Sequence, residues 1–252
     1  MKVLIVTVAG LSSRFSESLG RPCVKCLYHG QDSEDSMLQR LIHMYDFDRY
    51  IIVGGYRYEE LKKAIEEKFY EMRDKILLIE NAKYAEHGSG YSLYLGIEEA
   101  LKLDFSEIVF AEGDLLVDRK TFEEVCEAPA DILTVNRDPI LANKAVACYF
   151  DLQNKIHYIY DTNHNYLEIG EPFTAIYNSG QIWKFAQPEL LRKVAASLKE
   201  DDWKGTNLVL IQSYFTESER TEVKIFERWV NCNTVQDYEK GITEIKEYEN
   251  LE

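Results

Sequence analysis

Three charged residues and a run of small ones carry the chemistry that can be read from this chain. The stretch TVAGLSSRFSESLGRPCVKCLYHG, residues 7–30, leaves the apolar run Val3-Leu4-Ile5-Val6 through small residues and then places Arg14 and Lys25 in the loop that follows. A plain connection takes only a few residues, so this one is longer than it need be. Ala9, Gly10, Ser12 and Ser13 can turn successive backbone N–H groups inward, which forms an anion nest, and Arg14 and Lys25 bring positive charge to the same place. From these residues alone, a phosphate nest and an ordinary surface loop stay equally open. Further on, AEGDLLVD ends an apolar run at Asp114. A carboxylate there can hold a divalent cation, close a turn, or cap the helix beginning near Arg119. Glu112 reads as a second carboxylate beside it or as an outward-facing acid.

Other candidates are weaker. Cys23 and Cys26 form a CxxC among five cysteines that are otherwise far apart. A zinc site needs about four ligands, and with no second pair present, free thiols in a reducing compartment are the plainer reading. The five histidines have no ligand spacing, and His157 and His164 read as strand and turn residues. Tyr149, Tyr158, Tyr160, Tyr166 and Tyr177 could cage a quaternary ammonium or simply lie half-buried in a sheet. Gly88, Ser89 and Gly90 read as a turn before a helix from Tyr91. Such a helix N-terminus also suits recognition of a pyrimidine by backbone groups.

These residues need a scaffold, and the chain has the material for one. Its 252 residues, 46% hydrophobic and 29% charged, suit an ordinary globular protein with a full core. A formal net charge of −15 argues against nucleic acid as a partner, since that role rests on contacts to the phosphate backbone. It leaves room for a small phosphorylated ligand in a local basic pocket. No apolar run is long enough to cross a bilayer. Residues 1–11 read as a buried strand rather than a signal peptide, which places the protein in the cytoplasm with no membrane partner.

Apolar runs at 3–8, 50–53, 76–79 and 108–111 read as buried strands. Tyr58, Leu61, Ile65, Phe69 and Met72 fall on one helical face, and Leu93, Ile97 and Leu101 are spaced four apart on another. Strand and helix in alternation predict a parallel sheet covered by helices. Beyond Pro129 the pattern turns to strands over 131–135, 145–150, 155–160 and 173–177, and helices return over 189–198 and 207–214. A strand at 223–226 and a helix over 235–248 close the chain, the latter opened by a Thr234/Asp237 capping box. The expected fold is therefore α/β, a Rossmann-like three-layer α/β/α domain with a mostly parallel central sheet. We read one domain, with a nucleotide-binding front half, residues 1–128, and a more antiparallel back half, 129–252.

Taken together, these segments resemble the nucleotidyltransferases that make nucleotide-sugars, and among them the bacterial choline-phosphate cytidylyltransferases. VAGLSSRF followed by VKCL is similar to the family's glycine-rich loop and its "PK" pair, with Ser12 in place of the second glycine and Val24 in place of the proline. NAKYAEHGSGYSLYLGIEEA is similar to the base-contacting segment, AEGDLLVD to the metal-binding strand end, YNSGQIWKF to the acceptor-site strand, and WVNCNTVQDYEKG to the closing segment. The resemblance implies catalytic roles for Arg14 and Lys25, nucleotide contacts from Ala9, Gly10, Leu11, Ser12, Ser13, Gly88 and Ser92, and Mg²⁺ at Asp114 and Asn231. It implies acceptor contacts from Asn178, Ser179 and Gly180, and so that the back half, 129–252, is the acceptor-binding half. The partners implied are an NTP, CTP first, and a small phosphate or phosphonate monoester such as phosphocholine or a sugar phosphate. Asn231 stands where the family places an acid, so a binding protein that kept the fold and lost turnover is the alternative. A glycosyltransferase on a similar fold is disfavoured by the lysine segment.

Overall fold

A computed structural model describes residues 1–31, 33, 35–142, 146–159 and 166–251. The first strand, β1 (Lys2–Val8), is followed by a short helix α1 (Ser13–Leu19), a 3-10 turn (Lys25–Leu27) and α2 (Met37–Ile42). Then come β2 (Arg49–Gly54), α3 (Tyr58–Lys68), β3 (Ile76–Glu80), α4 (Ser89–Ala100), β4 (Glu107–Glu112), β5 (Leu115–Val117) and α5 (Arg119–Glu127). The second half runs β6 (Asp131–Asn136), β7 (Ala147–Asp151), β8 (Ile156–Ile159), β9 (Phe173–Phe185), α6 (Pro188–Ser197), α7 (Glu200–Lys204), α8 (Leu208–Glu217), β10 (Thr221–Ile225), β11 (Trp229–Asn231) and α9 (Val235–Glu249).

Among the described residues the strands make a nine-stranded sheet in the order β10-β6-β9-β4-β1-β2-β3, with β7 and β8 attached beside β9, and a separate β11-β5 ribbon. β1 lies parallel to both β2 and β4, while β9 runs antiparallel to β4, β6 and β7. The expected α/β fold with a parallel front and a more antiparallel back is what forms. One strand, β9, joins the two.

Alternation along β1 divides the core. Val3 and Ile5 face one side with Leu93 and Ile97 of α4 and Leu210 and Ile211 of α8. Leu4 and Val6 face the other with Leu41 of α2, Leu61 and Ile65 of α3, and Phe122 and Val125 of α5. A smaller core seats Phe15 of α1 against Tyr238 and Ile242 of α9. The helix expected to run to Met72 ends at Lys68, because the chain tightens into a 3-10 turn over Tyr70–Lys75 that still buries Phe69. β9 extends beyond the expected 173–177 to Phe185. The capping box at α9 is present, with Asp237 N–H donating to Thr234 Oγ1 at 3.1 Å and Thr234 N–H to Asp237 Oδ2 at 2.8 Å. The strands expected over 145–150 and 155–160 are β7 and β8. Ala145, Tyr160 and His164 lie outside the described residues.

Candidate functional site

The order β2-β1-β4 makes β1 a switch point, where the chain has crossed to both sides, and in open α/β sheets ligands bind beyond the carboxyl ends of such strands. A cavity of about 240 Å³ lies there. The end of β1 contributes Ala9, Gly10 and Ser12, the 3-10 turn Lys25 and Cys26, the end of β4 Glu112 and Asp114, and the start of α4 Gly88, Ser89 and Ser92. Tyr84 and His87 complete the wall.

The first loop is tied to the lysine. Ser12 adopts the left-handed region with φ of 55°, and its hydroxyl accepts the Lys25 backbone N–H at 3.3 Å. A Cβ at Gly10 would meet nothing within 4 Å, so packing does not demand glycine there. What its absence leaves is room for a ligand to approach the backbone. Gly113 differs, since a Cβ there would collide with Val8 as β4 passes β1.

Lys25 Nζ donates to Asp114 Oδ2 at 2.7 Å, while Asp114 Oδ1 is buried with no donor among the described residues. Glu112, two residues earlier, faces the same cavity and accepts from Asn207 Nδ2 at 2.8 Å. Burial and the charge of Asp114 push its carboxyl up to about 7, against the opposing pull of Asn207 and Lys25. The outward-facing reading of Glu112 is thereby corrected: at the end of β4 it lines the same cavity as Asp114 and is held there by Asn207. The helix-cap reading of Asp114 is corrected as well, because Asp118 caps α5 by accepting from Thr121 N–H at 2.8 Å.

Asn231 lies opposite Leu115 in the β5–β11 ribbon, and Cys232 N–H donates to the Asp114 carbonyl at 2.8 Å. The ribbon thus brings the backbone of Cys232 against Asp114, with Asn231 one residue before it. Asn231 Nδ2 donates to Gln181 Oε1 at 3.3 Å, and Asn231 Oδ1 is buried without a donor among the described residues. Buried acceptors are normally paired. An open carboxylate oxygen at Asp114 and an open amide oxygen at Asn231 are hard donors of the kind Mg²⁺ takes, since it accepts one or two protein oxygens and completes its shell with water and phosphates.

Of the other expected site residues, Gly88 and Ser92 line the cavity and the rest lie outside its lining. Arg14 is exposed and donates through Nη2 to Asn233 Oδ1 at 2.9 Å. Leu11 is 49% exposed and Ser13 opens α1. Asn178, Ser179 and Gly180 are buried in β9. Asn178 Nδ2 donates to the carbonyls of Asp138 and Pro139, Ser179 Oγ accepts from Gln181 N–H, and Gly180 O accepts from Trp229 Nε1 at 2.7 Å. The backbone donors expected at the start of α4 are in use, Gly88 N–H on Lys204 O at 2.8 Å and Gly90 N–H on Gly205 O at 3.0 Å. Ser92 Oγ accepts from Asn81 Nδ2 at 2.9 Å.

Asn207, Gln181, Tyr84 and His87 escaped the sequence reading, and only Asn207, at the start of a predicted helix, carried a local signal. Cys23 and Cys26 are free thiols, burial pushes the Cys26 thiol up to about 12, and no metal-binding cluster of His, Cys, Asp and Glu occurs among the described residues. Tyr149 stacks on His157 and donates to Glu171, Tyr158 is buried and accepts from Trp183 Nε1, Tyr177 is half-buried, and Tyr166 is exposed. They are placed as sheet and surface residues. His157 itself pairs with Asp151 at 3.0 Å.

The chain has the fold of the nucleotidyltransferases. It superimposes on the inositol-1-phosphate CTP transferase from T. maritima with a TM-score of 0.69 and 17% identity, covering 98% of this chain and 97% of that one. On the CTP:phosphocholine cytidylyltransferase from Streptococcus pneumoniae the TM-score is 0.62 with 16% identity, covering 95% and 96%. A Bacillus anthracis protein described as a glucose-1-phosphate thymidylyltransferase gives a TM-score of 0.68 with 13% identity, covering 97% and 95%. By sequence the chain belongs to the family described as a domain of unknown function, DUF6564, whose model matches residues 21–245. No curated protein matches it by sequence. Among the described residues no helix is long and apolar enough to cross a membrane.

Proposed function

We propose that the chain is a cytoplasmic nucleotidyltransferase that joins the nucleotidyl group of an NTP, CTP first, to a small phosphate or phosphonate monoester. The observation that carries this reading is the Lys25–Asp114 pair facing the open Gly10 loop across one cavity at the β1/β4 switch point. An oxygen of the monoester attacks the α-phosphorus, the bond to the β-phosphate oxygen breaks, and pyrophosphate leaves. No side-chain nucleophile is needed. The chain's task is to place the reactants and offset their charge.

In this reading the domain divides into a nucleotide half, 1–128, and an acceptor half, 129–252. Backbone amides of residues 9–13 hold the β- and γ-phosphates, and Arg14 turns from Asn233 to the leaving pyrophosphate. Lys25 serves the reacting phosphate. Asp114 and Asn231 hold Mg²⁺, which would screen charge that builds on the phosphate oxygens. Gly88 and Ser92 border the base. Asn178, Ser179 and Gly180 serve the acceptor side through β9, the strand that also brings Gln181 to Asn231. The names of the similar structures support the class: two name CTP and one is described as a thymidylyltransferase, so a pyrimidine is the favoured base.

The test is pyrophosphate release with each of the four NTPs, Mg²⁺, and phosphocholine, sugar phosphates or simple phosphonates, preceded by a thermal-shift screen. A ligand at a hundred times its dissociation constant stabilises by about 2.7 kcal/mol. Release with CTP and one acceptor supports the enzyme. A second reading, a nucleotide- or metabolite-binding protein without turnover, is favoured by the neutral amide at Asn231. Strong stabilisation by an NTP with no pyrophosphate from any pair would select it.

A further inference from the structure

Gln181 has features that its place in a strand does not require. It lies in β9 with φ of 55°, in the left-handed region that residues with side chains rarely enter. Its long polar side chain is inside the protein, with the residue 4% exposed. Its N–H donates to Ser179 Oγ at 3.1 Å, and the pairing of β9 with β6 shifts register in the same stretch. A backbone held in a sparsely populated region persists only where the surrounding structure requires it, and such residues gather at functional sites.

The consequence of this conformation falls on Asn231. Gln181 Oε1 accepts from Asn231 Nδ2. An amide has a donor end and an acceptor end, so engaging the nitrogen settles where the oxygen points. Among the described residues Asn231 Oδ1 is left inside the protein with no donor, and so is Oδ1 of Asp114, whose backbone carbonyl accepts the N–H of Cys232, the residue after Asn231. Buried open acceptors destabilise a fold unless something positive is meant to meet them.

Resting on the reading of Asp114 and Asn231 as cation ligands, we propose that Gln181 is a positioning residue, which holds Asn231 by its amide nitrogen and so commits Oδ1 to the cation. The neutral ligand needs such a partner. A carboxylate at 231 would have two equivalent oxygens and would set a lone pair against Gln181 Oε1. The glutamine and the asparagine therefore work as a pair in place of the acid that the resemblance implies at that position.

The experiment titrates Mn²⁺ against the full chain and reads free Mn²⁺ by its electron paramagnetic resonance signal, with thermal melts run alongside. Glycine tolerates positive φ, so Gln181→Gly removes the side chain and is expected to keep or raise the melting temperature. Loss of an outer-sphere partner typically costs about 10–100-fold in metal affinity, and about tenfold weaker Mn²⁺ binding is expected here. Asn231→Ala should weaken binding by a similar factor, and the double variant no further than Asn231→Ala alone. Gln181→Glu, which keeps the acceptor, should bind at least as tightly as wild type. Wild-type affinity in Gln181→Gly, or fully additive losses in the double variant, would overturn the proposal while leaving Asn231 a ligand. No Mn²⁺ binding by the wild type, or no change in Asn231→Ala, would overturn both the ligand reading and the proposal. Should Gln181→Gly lose its fold, Gln181→Glu and Gln181→Met decide the matter, and equal affinities in those two overturn it.

Discussion

Lys25 and Asp114 meet at 2.7 Å with side chains only 17% and 22% exposed, so each loses something when the other is removed. Lys25→Ala takes away the cation nearest the proposed reacting phosphate and is expected to lower pyrophosphate release by about 10²–10³-fold, the scale of one lost transition-state donor. Because it leaves a partly buried carboxylate unpaired, a small drop in melting temperature should accompany it, and Asp114→Asn in the same chain should reverse that drop. Lys25→Arg should also be impaired, since a planar fork does not replace a compact ammonium. Turnover at the wild-type rate in Lys25→Ala would remove the lysine from the site. Asp114→Asn alone should abolish Mg²⁺-dependent pyrophosphate release and sharply weaken Mg²⁺-NTP binding while the protein still melts cooperatively. Asn231→Asp adds charge to the site, and it should lower the Mg²⁺ concentration giving half-maximal pyrophosphate release. No shift in that midpoint would place Asn231 away from the cation.

Two glycines separate what packing requires from what a ligand requires. At the start of α4, Gly88 has φ of −74°, open to any residue, yet a Cβ there would strike the Gly205 carbonyl. That close approach lets the segment after α7 lie on α4, which in turn brings Asn207 to Ser89 and Glu112. Gly88→Ala is expected to destabilise the fold by about 1–3 kcal/mol, the usual cost of overpacking, visible as a lower urea midpoint. Gly10 has open space where its Cβ would be. Gly10→Ala should leave the urea midpoint unchanged and weaken NTP binding in a thermal-shift titration. If both variants change stability alike, the loop after β1 is shaped by packing and not by a ligand. The loop after β1 was legible as a site because its small residues are consecutive. The seal over α4 was not, since Gly205 lies more than a hundred residues away in the chain.

Across the whole molecule, the acid-rich surface implied by a net charge of −15 leaves anion binding to local cations such as Lys25 and Arg14. The thiols give a check on the packing of all three apolar clusters. Burial pushes the Cys26 and Cys148 thiols up to about 12 and raises those of Cys126 and Cys232 as well. A raised thiol pKa favours the neutral form in the fold, so at pH 8 a thiol at about 12 holds a thiolate share of only about 10⁻⁴. Native protein at pH 8 should therefore label first at half-buried Cys23, with the other four reacting only after denaturant is added. Labelling of Cys26 at the rate of an exposed thiol would mean that the turn carrying Lys25 opens readily. The CxxC pattern misleads a sequence reading for the same reason: its two sulfurs sit in different surroundings, one half-exposed and one buried.

The sequence by itself determined the strands and helices whose periods are local. β1, β2 and β4 follow from runs of branched apolar residues, the amphipathic face of α3 from its spacing, and the start of α9 from Thr234 and Asp237, because each signal involves neighbours within one or two turns or pleats. It also located the loop of Gly10 and Lys25 and the strand end at Asp114. Only the tertiary structure decided which side chains converge. Placing β9 between β6 and β4 carries Gln181 to Asn231, 50 residues apart, and packing the start of α8 against β4 sets Asn207 on Glu112, 95 residues apart. Arg14 rests on Asn233 across 219 residues. Such contacts follow from the order of strands in the sheet, which is settled by burial over the whole core and leaves no periodic trace along the chain.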